Sequence, residues 1–130
     1  MSMNNILQGI AASKQGAAAT DADGVMVGRY CFGDDFTGFA GHFPGHPILP
    51  AIVEILTVLS LISEQTGCRQ RLVAVDDAKF LHPVQPNQEL IVRCRERTIR
   101  GKILYDAQLT VGETTTATLL IELSPAGELP

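Results

Sequence analysis

The apolar positions change rhythm twice along the 130 residues. Residues 25–32 (VMVGRYCF) are β-branched and aromatic and read as a first strand. Residues 33–47 hold four glycines and two prolines, a composition that predicts an irregular loop. Residues 48–66 then form an apolar run of helical length, with Pro50 suited to the first turn and Gly67 to the C-cap. At 1.5 Å per residue such a helix is roughly 25 Å long. Its polar residues Glu54, Thr57, Ser60 and Glu64 recur every three to four positions and form one stripe. A helix so apolar around the rest of its circumference must be wrapped by other structure.

Beyond Gly67 the period falls to two. Residues 71–81 read as a strand ended by Pro83 and Pro86, and 90–100 as another with Arg93, Arg95 and Arg97 on alternate positions. Gly101 makes a turn, after which Ile103, Tyr105, Ala107, Leu109 and Val111 alternate with Lys102, Leu104, Asp106, Gln108 and Thr110, the first set forming the inward face of a half-buried strand. Gly112-Glu113 turns the chain again, and Ala117, Leu119, Ile121 and Leu123 form the inward face of the last strand. Short turns make neighbouring strands antiparallel. The pattern predicts an α+β domain over 25–130, an antiparallel sheet of about five strands around one long central apolar helix. Residues 1–24 read as a loosely structured lead-in, with a short helix before the small and polar stretch 11–24. The uncovered sheet edges predict a dimer.

Composition narrows the function classes. A hydrophobic content of 45% fits a folded domain, and a net charge of −4 offers nucleic acid no attraction. Docking of an acidic carrier protein would need a local patch, which Arg93, Arg95, Arg97 and Arg100 would supply. Cys31, Cys68 and Cys94 lack metal or disulfide spacing and read as free thiols of a reducing cytoplasm. The apolar stretch 6–12 has no basic region before it, so it is not a secretory signal, and 48–62 is too short and polar to span a bilayer. No metal, nucleotide or flavin pattern is present, and no cofactor is expected.

His42 lies in the Gly/Pro-rich loop just before the helix, where Pro44 and Pro47 fix φ and Gly41 and Gly45 permit unusual angles. The first amides of a helix are unpaired donors with partial positive charge. A histidine beside them can remove a proton next to a carbonyl while the amides hold the developing oxyanion. That is the chemistry required at the α-carbon of a thioester. Position alone leaves open a histidine that merely bonds to the loop backbone.

Residues 39–51 (FAGHFPGHPILPA) resemble the signature of the 3-hydroxyacyl-(acyl carrier protein) dehydratases of fatty acid synthesis. That pattern runs G-H-F-P-G-x-P, two apolar residues, then P-G, and Ala51 stands where it ends on glycine. Residues 78–90 (AKFLHPVQPNQEL) are similar to the family's K-F-x-x-P-V-x-P-G-D-x-L segment, with Asn87 at the glycine. The resemblance implies a hotdog fold and maps the catalytic base onto His42. It maps the oxyanion-binding amide onto Ala51 and the surroundings of the substrate onto Phe43, Gly45, Pro50, Ala51 and Leu56. The family's second catalytic group is a carboxylate fourteen positions after the histidine, acting across the dimer, and Leu56 occupies that position. Leucine moves no proton.

Glu54 is two residues away, a rotation of about 200° on a helix, and its polar stripe points to a solvated or interfacial place. Asp34, Asp35, Asp76 and Asp77 are further carboxylates near candidate loops. His46 fills a variable position of the motif and reads as a surface residue, and His82 as structural. Three functions follow. The first is a 3-hydroxyacyl-thioester dehydratase working on carrier-protein or coenzyme A substrates as a dimer or higher assembly. The second is a non-catalytic acyl-thioester-binding protein or partner subunit, for which a companion chain brings the carboxylate. The third is a thioesterase on the same fold.

Overall fold

A computed structural model describes residues 3–39 and 45–128. The chain runs α1 (Met3–Ala12), β1 (Ala19–Thr20), β2 (Met26–Cys31), a 3-10 turn (Thr37–Phe39), α2 (Ala51–Thr66), β3 (Cys68–Phe80), β4 (Glu89–Ile99), β5 (Lys102–Val111) and β6 (Thr114–Glu128). The strands form one antiparallel sheet in the order β1-β2-β4-β5-β6-β3. With α2 packed against β2, β3 and β4, this is the hotdog architecture expected from the sequence.

The helix starts later than the apolar run suggests. Leu49 precedes a proline and is therefore disfavoured in the helical region, and Pro50 is extended with φ −64° and ψ 148°. Gly67 ends the helix in the left-handed conformation at φ 69°, a geometry that favours glycine. The chain turns straight into β3, which begins at Cys68 because β6 is long enough to pair with it there. Val53, Val58, Leu61 and Ile62 of α2 meet Leu90 and Val92 of β4, Ala107 and Leu109 of β5 and Ala117, Leu119 and Ile121 of β6 in one core.

Two expectations change. Residues 3–12 are not loose: α1 buries Ile6 and Ile10 in that same core. Ile103, expected on the inward face of β5, is 56% exposed. Tyr105, Ala107 and Leu109 of β5 join that core and Leu104 is buried at 2% exposure, while Ile103, beside the hairpin turn, lies past the end of the face formed by Tyr105, Ala107 and Leu109.

Aromatic packing anchors the entry to the loop before α2. Phe32, Phe36 and Phe39 form a chain of rings with centroids 4.7 and 5.7 Å apart. Gly9 and Gly38 have no side chain because a Cβ there would lie 2.7 and 2.3 Å from the Phe36 ring. On the far side, Asn87 donates its backbone N–H to Phe32 O at 2.7 Å. Asn87 has φ 67°, which explains an asparagine where the resembling family has glycine: asparagine tolerates the left-handed region better than other side chains.

Candidate active site at the start of the central helix

The N-terminus of α2 opens on a cavity of about 590 Å³, walled by residues 48–51 and Glu54 on one side and residues 80–83 on the other. Backbone bonds hold the two walls in place. Leu49 N–H donates to Val84 O at 2.7 Å, while Leu81 and His82 donate to Thr116 O at 2.8 and 3.2 Å. Pro50 O accepts from both Val53 and Glu54 N–H, at 3.0 and 3.2 Å. The Ala51 and Ile52 amides lie too close behind Pro50, the first acceptor of the helix, to find a partner within it. No side chain caps this end. The amides therefore present partial positive charge beside a mostly apolar cavity.

The polar stripe of α2 divides when its surroundings are drawn in. Thr57 is fully buried and satisfies its hydroxyl by donating back to Val53 O at 2.7 Å. Glu64 pairs with Lys14 at 2.6 Å. Glu54 is different: it is 4% exposed, and its Oε1 is buried without a hydrogen-bond partner among the described residues. Burial pushes its carboxyl from 4.5 up to about 8. The stripe predicts a solvated or interfacial place; within this chain Glu54 is not solvated but lines the cavity whose other wall is residues 80–83. Ala51 and Glu54, three residues apart, lie on the same helical face.

The other predicted site residues scatter. Pro50 and Ala51 line the cavity. Gly45, at φ 84°, lines a separate hollow with His46, Asp34 and Pro47. Leu56 is 8% exposed and joins the hydrophobic core instead of the cavity wall. His42 and Phe43 lie outside the described residues. His82, read from sequence as structural, lines the cavity together with Glu54. Nothing in the sequence signalled that pairing, since the two are 28 positions apart. Among the described residues no group of three or more His, Cys, Asp or Glu side chains is placed to hold a metal ion. No helix there is long and apolar enough to cross a membrane.

The chain is similar to 3-hydroxyacyl-(acyl-carrier-protein) dehydratase FabZ of Granulibacter bethesdensis, with 30% identity over 68% of this chain and 61% of the relative. It spans about three fifths of the length of this relative and of its Alkalilimnicola ehrlichii counterpart, which is 33% identical. In structure it is similar to the dehydratase heterocomplex ApeI:P from Xenorhabdus doucetiae, with TM-score 0.71 and 20% identity over 82% of this chain and 93% of that one. At that identity the likeness establishes the fold. The model of the ApeI-like family, described as ApeI dehydratase, matches residues 18–118, from just before β1 into β6 and across both walls of the cavity. A hotdog sheet around α2, with a match running through every element that builds the site, makes this chain a member of the ApeI-like dehydratase family.

Proposed function

We propose that this protein is a hydro-lyase that interconverts 3-hydroxyacyl and 2-enoyl thioesters carried on acyl carrier protein or coenzyme A. The observation that carries this reading is the uncapped start of α2 opening on a largely apolar cavity, in a chain of a dehydratase family. In this reading the Ala51 amide holds the thioester oxygen and His42 takes the proton from C2. Phe43, Gly45 and Pro50 shape the approach, and the cavity holds the first carbons of the acyl chain. The protein acts in the cytoplasm, where Cys31, Cys68 and Cys94 remain thiols. A second copy of the chain covers the apolar edge of β3, where Val73 and Val75 are exposed.

A thioesterase would need an acidic or polar residue to activate water. A carboxyl that keeps its proton to about pH 8 suits donation instead. The test is hydration of a crotonyl thioester by the purified protein, followed by loss of the enoyl absorbance. Turnover that disappears in His42→Ala supports the reading. Release of free thiol without hydration replaces it with a thioesterase, and an undiminished rate in His42→Ala removes that residue from the mechanism.

A further inference from the structure

An unpartnered buried carboxyl costs stability, and folds keep such groups rarely. Here the described residues offer Oε1 of Glu54 nothing. Glu54 lines the cavity wall, on the same face as Ala51, whereas Leu56 belongs to the hydrophobic core. In a helix the Cα–Cβ bond tilts toward the N-terminus, so Glu54 leans back toward the turn that carries the Ala51 and Ile52 amides, which have no acceptor within the helix. The cavity thus brings an oxyanion donor and a buried acid from a single chain to one place. Their spacing along the axis is about 4.5 Å for three residues, the scale of a thioester oxygen and a substituent two carbons away.

Resting on the dehydratase reading, we infer that Glu54 is the proton donor to the leaving 3-hydroxyl, the duty left vacant by leucine at position 56. The base removes a proton from C2, and that electron pair forms the C2–C3 double bond. The C3–O bond breaks with its pair, and the oxygen takes the proton of Glu54 and leaves as water. Glu54 is left as carboxylate and the base protonated; transfer of that proton through solvent restores both. Burial keeps Glu54 protonated at neutral pH, and His82 is the other titratable group lining the cavity among the described residues.

The full-length protein is assayed with 3-hydroxybutyryl-coenzyme A beside Glu54→Gln and Glu54→Asp, with circular dichroism to check folding. Glu54→Gln keeps the shape and loses the acidic proton, so kcat falls by roughly 10²-fold or more, while Glu54→Asp retains part of the rate. The wild-type kcat/KM declines as pH rises through about 8, a limb absent from the residual rate of Glu54→Gln. Infrared spectra add a reading independent of turnover. The protonated carboxyl band that Glu54→Gln deletes shifts with 3-hydroxybutyryl-coenzyme A and not with butyryl-coenzyme A, which lacks the hydroxyl. An active wild type matched by a folded Glu54→Gln overturns the role of Glu54 and leaves the dehydratase reading standing. An inactive wild type with the hydroxyl-dependent shift overturns the reaction and retains Glu54 as the hydroxyl-binding group. Neither turnover nor shift overturns both.

Discussion

Replacing Glu54 by glutamine tests the buried acid through stability alone, with no substrate present. The folded carboxyl titrates near 8 and the unfolded one near 4.5. A group whose pKa is raised by folding binds its proton more tightly in the native state. Its contribution is therefore complete below pH 4.5, declines as pH rises, and is gone above about pH 8. At 1.36 kcal/mol per pH interval, the displacement from 4.5 to about 8 corresponds to on the order of 5 kcal/mol across the range, of which about 3 kcal/mol has gone by pH 7. That is a large share of the roughly 5–15 kcal/mol that holds a domain together. Urea unfolding of wild type and Glu54→Gln is measured from pH 5 to 9 and the two free energies are subtracted at each pH. The subtraction cancels every other titrating group and the constant cost of the buried amide. The wild type loses ground to the variant by several kcal/mol as pH rises. A difference that stays flat within about 1 kcal/mol would refute the buried, unpartnered state of Glu54.

Two further outcomes probe the fold around the site. Ile10→Ala removes a fully buried side chain of α1 and is expected to cost about 2–5 kcal/mol in urea unfolding; a loss under about 1 kcal/mol would detach the N-terminal helix from the core. Val73→Lys with Val75→Lys places two like charges on each exposed β3 edge, and sedimentation velocity should change from dimer to monomer; a wild type that already sediments as a monomer defeats the pairing of copies.

Much of this fold was legible because its signals are local. The alternation of β5 and β6, the apolar run of α2 and the glycine at position 67 each depend on a few neighbouring residues, and each appears nearly where expected. Element ends moved by a few positions where partners decide them, as with β3, drawn back to Cys68 by the length of β6. The first helix was harder. Ile6 and Ile10 form a short apolar stripe, but whether it joins a core depends on the helix it meets. At the candidate site, the run 39–51 carried the resemblance to the family, and the structure put Pro50 and Ala51 on the cavity wall.

Glu54 marks the boundary between the two kinds of knowledge. Sequence alone determined that it shares a helical stripe with Thr57 and Glu64, because helical periodicity is a property of spacing. It also determined that position 56 holds a leucine and so no acid. Only the tertiary structure decided that Glu54 is buried beside a cavity walled by residues 80–83, while Glu64 reaches Lys14. The reason is physical: a carboxyl's solvation, and with it its proton affinity, is set by whatever packs against it. Here the facing wall of the cavity that Glu54 lines comes from a segment more than 25 residues further along the chain.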